Sequence, residues 1–359
     1  MAYVTLDDIR IEYEKGQPVL DHFHLTVNEG ELVSLLGPSG CGKTTTLRTV
    51  AGFIDPSAGT VTIAGRNVTR LPPNKRDLGI VFQSYALFPH LTVFQNVAFG
   101  LERRRVNKAE QTQRVNDALA LVDMADFAHR RPAQLSGGQR QRVAVARAIV
   151  IEPTLLLMDE PLSNLDAKLR VGMRTEIRRL QQRLGITTLY VTHDHVEALT
   201  LSDRIVVMNK GNIEQIGTPE EVFSNPQTPF VADFMGFENR LLAQWSPGAN
   251  GSGSTVDVAG ALLETTHVPA QPPADGRVAL YFRPEAATLA ANPQPNSVPA
   301  TVTLRTFRGA TLEYVAKTAV GECVVYADDL VRFGEGDAVY VVIPPHKAIV
   351  MPPLGDVTP

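Results

Sequence analysis

The sequence predicts an α/β fold with a parallel sheet, followed by a smaller domain rich in β-strands. A glycine-rich loop, GPSGCGKTT (residues 37–45), lies between the apolar run ELVSLLG and the helix-like segment TTTLRTVAGF. A second apolar run, in LLLMDE (residues 155–160), has the composition of a strand buried on both faces of a parallel sheet. After about residue 240, short β-runs alternate with clusters of Gly, Ser and Pro, which indicates a second domain of β-strands.

The composition is that of a globular protein with about two domains. The chain has 359 residues, 44% hydrophobic content and a formal net charge of −4. This charge argues against bulk electrostatic binding of nucleic acid. No apolar stretch reaches the roughly 18 residues that a membrane span requires. The first residues, MAYVTLDDIR, lack a secretory pattern, so we expect a cytoplasmic protein that does not itself form a pore.

The glycine-rich loop matches the pattern Gly-x-x-x-x-Gly-Lys-[Ser/Thr] in the required strand–loop–helix context. Backbone N–H groups of such a loop point inward around an anion, and the helix N-terminus adds partial positive charge. Lys43 is placed to reach the β- and γ-phosphates, and the Thr44 hydroxyl is a suitable Mg²⁺ ligand. We therefore predict binding of ATP or GTP. The predicted phosphate-binding residues are Gly37, Pro38, Ser39, Gly40, Cys41, Gly42, Lys43, Thr44 and Thr45.

Two carboxylates follow the second apolar run, at the sheet edge where α/β proteins bind ligands. Asp159 is placed to hold Mg²⁺ through its water shell, and Glu160 to polarise an attacking water. Acidic residues before PLSNLD would also suit a helix cap. Their combination with a phosphate loop favours catalysis.

Two further polar residues follow apolar strands. Gln83 comes after GIVF and is placed to reach Mg²⁺ or the water, and His193 comes after ITTLYVT and is placed to hydrogen-bond a γ-phosphate. Tyr13, in IRIEYEKG, offers a ring on which adenine can stack. Taken alone, Tyr13 and His193 favour a packing or surface role, and Gln83 is also compatible with a polar residue at a strand end.

A second glycine-rich motif, LSGGQ (residues 135–139), precedes a helix-like run that Pro153 stops. Ser136 and the backbone amides of Gly137 and Gly138 would form another anion site at that helix N-terminus. Ser136 would also serve as a plain N-cap. Because the chain already has one phosphate loop, a monomer would not need this second site to bind its own nucleotide.

In their order along the chain, these motifs resemble the ATP-binding subunits of ABC transporters over residues 1 to about 240. The resemblance implies a P-loop nucleotide-binding domain at residues 1–240 with a helical insert at about 84–152. It also implies a head-to-tail homodimer, in which the phosphate loop of one subunit faces the LSGGQ signature of the other across ATP.

The resemblance assigns roles to individual residues. Its implied catalytic residues are Glu160, His193, Gln83 and Lys43, and its implied Mg²⁺ ligands are Thr44, Gln83 and Asp159. Tyr13 would stack on adenine, and the signature residues Ser136, Gly137, Gly138 and Gln139 would bind the partner's nucleotide. Asp166, in the SNLD loop, would contact the partner subunit.

Residues 241–359 are predicted to form a small β-barrel with roles in dimerisation and regulation. The segments QIGTPEEVFSNPQTPFVADFMG and YFRPEA resemble importer ATPases for maltose, polyamines and ferric iron, which have an oligosaccharide-binding-like (TOBE) barrel at this place. SYALFPH, SNLDAKLR and LYVTHD are most similar to the ferric-iron and polyamine branches.

The resemblance implies the ATPase subunit of a bacterial importer for ferric iron or a polyamine, with ATP and Mg²⁺ as its ligands. It would work at the cytoplasmic face of the inner membrane with permease subunits and, indirectly, a solute-binding protein, and without nucleic acid. The main alternative is an ABC ATPase acting on nucleic acid or ribosomes. Such proteins typically have two cassettes or a coiled-coil insertion, and neither is visible. An exporter half would typically have a fused membrane domain.

Three smaller features complete the predictions. Cys41, beside Lys43 at a helix N-terminus, is expected to be a reactive thiol whose alkylation inhibits the ATPase. His22 and His24 alternate on a predicted strand, but no third metal ligand is nearby. The aromatic residues of YALFPHLTVFQNVAFG suit a core. Residues 85–91 within it correspond to the surface that receives a permease helix in ABC transporters, and both interpretations stay open.

Overall fold

The computed structural model describes residues 2–14, 16–247, 254–266, 275–328 and 332–353. The chain divides into two compact units, Met1–Asn225 and Pro226–Pro359. The division falls before residue 240, because the short helix Pro229–Phe234 belongs with the second unit. Within the described part of the chain, every helix is too short or too polar to span a bilayer.

The first unit combines an antiparallel sheet, a mostly parallel sheet and a set of helices. Its strands are β1 (Ala2–Glu14), β2 (Gln17–Asn28), β3 (Leu32–Leu36), β4 (Ala58–Ile63), β5 (Arg66–Asn67), β6 (Leu78–Val81), β7 (Leu155–Asp159), β8 (Thr187–Thr192), β9 (Arg204–Asn209) and β10 (Asn212–Gly217). Its helices are α1 (Lys43–Ala51), α2 (Val93–Arg103), α3 (Lys108–Leu121), α4 (Gly137–Ile149), α5 (Ala167–Leu184), α6 (His195–Leu201) and α7 (Pro219–Ser224). Short 3-10 turns lie at Pro73–Lys75, Ala125–Phe127 and Pro132–Gln134.

The central sheet has the strand order β10-β9-β3-β8-β7-β6 and is parallel except at β10. Strands β3, β7 and β8 are buried at every residue, as their apolar sequences predict. Alternate residues of β7 enter different cores: Leu155 and Leu157 pack with the antiparallel sheet β2-β1-β4-β5, and Leu156 and Met158 with the helical insert. Burial of apolar side chains on both faces thus stabilises the central sheet.

The helical insert lies between β6 and β7 and contains α2, α3 and α4. Val115, Leu119 and Val122 are buried in its core, as the helical spacing predicts. Thr92 and Ser136 cap α2 and α4 with reciprocal capping boxes. The insert therefore begins its last helix, α4, at the LSGGQ signature.

Parallel pairing brings the ends of four strands to one edge of the central sheet. Leu36 pairs with Thr192, Asp159 with Val191, and Val81 with Met158. The residues that follow these strands must therefore lie close together. The phosphate loop, Glu160, His193 and Gln83 all occupy this edge.

The second unit begins with α8 (Pro229–Phe234) and continues as two curled five-stranded antiparallel sheets around one apolar core. Its strands are β11 (Asn239–Pro247), β12 (Ser254–Val258), β13 (Ala261–Thr265), β14 (Arg277–Phe282), β15 (Thr288–Ala290), β16 (Ser297–Phe307), β17 (Leu312–Thr318), β18 (Gly321–Ala327), β19 (Ala338–Val342) and β20 (Ile349–Met351), with a 3-10 turn at Pro345–Lys347. Five of these strands correspond to short β-runs in the sequence. RVALYF is β14, and ATVTLRTF, TLEYVAKT, ECVVYA and AVYVVIPP are β16, β17, β18 and β19. The predicted loops PGANGSGS and VPAQPPADG lie largely outside the described residues.

Candidate active site

The phosphate loop joins β3 to α1 and requires glycine at two positions for different reasons. A Cβ on Gly37 would lie 2.3 Å from the Met208 carbonyl oxygen, so the loop packs directly on neighbouring backbone. Gly42 has φ 104°, a left-handed conformation that other residues avoid. Ser39 and Gly40 are exposed at the tip, with the N-terminus of α1 behind them. The loop therefore exposes its tip beside a helix N-terminus, and binding of a phosphate there stays a prediction.

Lys43 is the first residue of α1 and is 5% exposed. Its ammonium donates hydrogen bonds to the carbonyl oxygens of Gly37, at 2.7 Å, and Pro38, at 2.8 Å. These neutral dipoles hold the cation at the loop without cancelling its charge. The charge therefore remains available to phosphate oxygens.

Thr44 and Asp159 come together from α1 and β7. The Thr44 hydroxyl donates to Asp159 Oδ1 at 3.1 Å. Asp159 is 8% exposed, and burial raises the pKa of its carboxyl, an effect that the Thr44 hydrogen bond opposes. A hydroxyl and a desolvated carboxylate are the hard oxygen ligands that Mg²⁺ prefers, so this pair fits the ion.

Glu160 lies between the two other predicted catalytic side chains. Its Oε2 accepts a hydrogen bond from Gln83 Nε2 at 3.2 Å, and its Oε1 lies 3.2 Å from His193 Nδ1. The backbone of Glu160 has φ 43°, and its N–H donates to the Val191 carbonyl at 3.0 Å. Three strand ends thus converge on one carboxylate.

Two residues of the SNLD loop complete this arrangement, and the sequence analysis gave them no role. Ser163 Oγ lies 3.2 Å from Gln83 Nε2 and donates to the Glu160 carbonyl at 2.9 Å. Asn164 Nδ2 donates to the Gln83 carbonyl at 2.7 Å. The sequence signal was their position three and four residues after Glu160, where a turn brings polar side chains back to the strand end. Ser163 and Asn164 thus hold Gln83 in place through its side-chain amide and its backbone carbonyl, respectively.

The signature motif forms the N-terminus of α4. Ser136 Oγ accepts from the Gln139 N–H at 3.3 Å, and Gln139 Oε1 accepts from the Ser136 N–H at 2.9 Å. Ser136 therefore is an N-cap, the plainer of its two predicted roles. Its binding of a phosphate, together with Gly137 and Gly138, stays a prediction. A Cβ on Gly137 would approach Leu165 Cδ2 to 3.2 Å, so a larger residue there would require Leu165 to shift by a few tenths of an ångström.

Tyr13 and Asp166 lie at the periphery of the site. The Tyr13 side chain is exposed on β1, and its hydroxyl is 3.2 Å from Thr45 Oγ1, which ties the ring to the phosphate loop. Asp166 caps α5, accepting from the Leu169 N–H at 2.9 Å. Adenine stacking by Tyr13 and a partner contact by Asp166 stay predictions.

The expectation of an accessible thiol at Cys41 does not hold. Cys41 is 3% exposed and packs in the apolar core beneath the loop, so a reagent has poor access to its Sγ. His22 and His24 do lie on β2, and their Nδ1 atoms are 2.7 Å from Asp8 Oδ1 and 3.0 Å from Asp7 Oδ1. No group of three or more His, Cys, Asp or Glu side chains in the described ranges is arranged to hold a metal ion.

The fold and this site define a P-loop ATPase of the cassette type, with a signature helix in a helical insert. The family model for the ABC transporter matches residues 20–163, and that for the TOBE domain matches residues 280–351. The spermidine/putrescine import ATP-binding protein PotA of Thermobifida fusca is 44% identical over 97% of this chain and 93% of its own length. The Fe(3+) ions import ATP-binding protein FbpC of Brucella abortus is 50% identical over 85% of each chain. The chain belongs to the ATP-binding subunits of ABC transporters.

Solved structures agree with this assignment. The dimeric ATP-binding cassette MJ0796 bound to ADP and Pi is 33% identical with a TM-score of 0.54, covering 60% of this chain and 98% of that one. CbiO1 from Clostridium perfringens, part of an ABC transporter complex, is 29% identical with a TM-score of 0.59, covering 63% and 92%. The shared region is the ATPase fold.

Proposed function

We propose that this chain hydrolyses ATP to drive the import of ferric iron or a polyamine through a separate membrane permease. The observation that supports the reaction most directly is the Glu160 carboxylate, hydrogen-bonded to Gln83 and in contact with His193 beside the phosphate loop. The two candidate solutes come from the printed functions of the two relatives above.

The side chains divide the hydrolytic step between them. Gln83 and His193 orient the water and the Glu160 carboxylate, which accepts the water's proton as oxygen attacks the γ-phosphorus. Lys43 exchanges its carbonyl partners for phosphate oxygens and stabilises the charge on the leaving ADP. Thr44 and Asp159 would hold Mg²⁺, which would supply positive charge to offset that of the phosphates. The products are ADP and phosphate.

The active form is a homodimer in which the signature of one subunit closes the phosphate loop of the other. The N-terminus of α4 supports this, because a helix N-terminus attracts anions and this one is separate from the phosphate loop of its own chain. The dimeric state of the related cassette MJ0796 is consistent with it. Opening after hydrolysis would supply the movement that drives transport.

The permease would dock on residues 85–91, at the cytoplasmic face of the membrane. Ala86, Pro89 and His90 are exposed there, and Leu87, Phe88 and Leu91 are half-buried. This segment follows Gln83, so a partner seated on it would sense the state of the Glu160 site.

Co-purification from the native host tests this function. The tagged full chain is recovered from gently solubilised membranes, and its partners are identified by mass spectrometry. We expect multi-span permease subunits, and stimulation of ATPase activity by a solute-binding protein loaded with ferric iron or with a polyamine. Recovery of ribosomal or DNA-bound partners without a permease would contradict the proposal. It would support the alternative of an ABC ATPase that acts on nucleic acid or ribosomes.

A further inference from the structure

The segment 85–91, termed the docking segment below, is held by two polar side chains of the helical insert. Arg147 of α4 donates from one terminal nitrogen to the Ala86 carbonyl at 2.8 Å and from the other to the Tyr85 carbonyl at 2.9 Å. Its guanidinium also lies 5.6 Å from the Phe88 ring centroid. The planar fork of arginine fits two adjacent carbonyls in a way that lysine does not reproduce.

Asn96 of α2 holds the other end of the same segment. It is fully buried, and its Oδ1 accepts from the Phe88 N–H at 2.8 Å. Its Nδ2 lies within 3.3 Å of the carbonyls of Phe88, Leu91 and Thr92. The far end is thus attached to α2, while the end nearest Gln83 is attached to α4 through Arg147.

The end held by Arg147 contains unfavourable features. Tyr85 and Ala86 have φ values of 62° and 47°, a left-handed conformation that costs of order 1 kcal/mol for a residue other than glycine. The buried Tyr85 hydroxyl has no hydrogen-bond partner among the described residues, and burial raises the pKa of Tyr85. This backbone would relax if its restraint were removed.

Arg147 is bound to the segment by two carbonyls and one aromatic ring. Burial lowers the pKa of its guanidinium. Its interactions are therefore directed at the Tyr85 and Ala86 carbonyls and the Phe88 ring. A movement of α4 is transmitted to the docking segment through these contacts.

The other end of α4 is the signature. Ser136 caps the helix and Arg147 lies in its last turns, about 16 Å away at 1.5 Å per residue. We propose that Arg147 is a positioning residue that links the two ends, so that engagement of the signature by a nucleotide moves the docking segment. This inference rests on the proposed function for the identity of the partner, but the link itself lies within one chain.

The test compares Arg147→Met and Arg147→Lys with the parent. Arg114→Met is the matched control, since Arg114 lies on α3 of the same insert and pairs with Glu110 on the surface. For the isolated full chain we expect kcat and KM for ATP within about twofold of the parent in all variants. In the complex with its recovered permease, Arg147→Met should lose at least about fivefold of the stimulated rate, Arg147→Lys should recover part of it, and Arg114→Met should match the parent.

Two results would overturn the inference. One is full stimulation of the Arg147→Met complex. The other is an equal loss of kcat in the isolated Arg147→Met chain and in its complex, with no recovery in Arg147→Lys. That result would indicate a merely structural role for Arg147.

If the parental chain recovers no permease, the proposed function fails, and hydrogen exchange then decides the inference separately. MgATP should slow amide exchange in both α4 and residues 85–92 of the parent. In Arg147→Met it should slow exchange in α4 alone. An equal response of residues 85–92 in both proteins would refute the link.

Discussion

Glu160 has a backbone conformation that its residue type disfavours, and the surroundings explain why it is retained. Its φ of 43° is held by the hydrogen bond from its N–H to Val191 and by the Ser163 hydroxyl on its carbonyl. Strain of this kind, of order 1–3 kcal/mol, persists where neighbouring structure enforces it. Here it aims the carboxylate between Gln83 and His193.

Replacing Glu160 by Gln should separate binding from hydrolysis. The amide keeps the shape and can still contact Gln83 and His193, but it does not accept a proton from water. We expect kcat to fall at least about 100-fold with ATP affinity within about threefold of the parent, because general-base catalysis contributes roughly 10²–10⁴. Single-turnover hydrolysis and nucleotide titration measure the two quantities.

The same variant should accumulate as an ATP-bound dimer, which sedimentation in the presence of MgATP detects. Hydrolysis at the parental rate would show that Glu160 is not the base.

Glu197 is a buried carboxylate hydrogen-bonded to the strand that precedes His193. It is 3% exposed and accepts hydrogen bonds at 2.8 Å from the hydroxyls of Tyr190 and Thr192, both on β8. The Thr192 hydroxyl in turn accepts from the Asp194 N–H, so the network surrounds His193. Burial raises the pKa of Glu197, and the two hydroxyls oppose this.

A raised folded-state pKa makes the Glu197 contribution to stability depend on pH. The stability is fully present below the unfolded value of 4.5 and is lost as pH rises through the higher folded pKa. Glu197→Gln does not titrate, so its melting temperature relative to the parent should rise between pH 4.5 and 7.5, by about 2 °C. Calorimetry over this range measures it. A constant difference across the range would rule out titration of Glu197 as the cause.

At this scale the sequence predicted which side chains lie together at the site but not how they are supported. Motif order identified Gln83, Glu160 and His193, since each follows a buried parallel strand. The role of Ser163 depends on the turn after β7, which returns its hydroxyl to the strand end. The expectation of a reactive Cys41 weighed nearby charge without burial, and its side chain is only 3% exposed.

Among the elements, α4 has functions at both ends that a single periodic run in the sequence does not separate. Its N-terminus has a capping box made by Ser136 and Gln139, which stabilises the helix whether or not phosphate binds. A stability measurement alone does not distinguish capping from nucleotide binding. A second capped helix provides the comparison.

Ser136→Ala and Thr218→Ala remove the same kind of cap from α4 and α7. Each should lower the free energy of unfolding by about 1 kcal/mol, the usual cost of losing an N-cap. If the signature binds nucleotide across a dimer, Ser136→Ala alone should also lower ATPase activity, by at least about tenfold. Denaturant titration and steady-state kinetics measure the two effects. Equal ATPase activity in both variants would leave Ser136 with capping as its sole role.

Element prediction succeeded where burial imposes a clear pattern and failed where a turn lacks its usual residues. Strands β3, β7 and β8 are apolar because both faces are covered. The hairpin β12–β13 was missed. Its turn places Ala259 and Gly260 at φ 51° and 87°, where sequences usually have Asn-Gly or Asp-Gly. The predicted boundary at residue 240 cuts through strand β11, which pairs with β12 and β14 in the second sheet.

For the whole molecule, two compact units with separate apolar cores predict two unfolding events. The first unit holds the phosphate loop, and the second has its own closed apolar core. A ligand that binds one native unit stabilises that unit, by about 2.7 kcal/mol at one hundred times its dissociation constant. In calorimetry, MgATP should raise one transition by roughly 5–10 °C and leave the other unchanged. The Glu160→Gln variant prevents turnover during the scan. A single transition that shifts as a whole would contradict independent units.

Lys43 makes nucleotide entry an exchange rather than a simple addition. Its ammonium already donates hydrogen bonds to two carbonyls. An incoming anion must therefore interact with the ammonium more favourably than these two hydrogen bonds do. A single phosphate or sulfate contacts one side of the loop, so this exchange of hydrogen bonds gives it little net binding free energy. A chain of three phosphates reaches the ammonium and the helix terminus together. The resting contacts of Lys43 are therefore part of the free energy of nucleotide binding, because they must break before the ammonium reaches a phosphate.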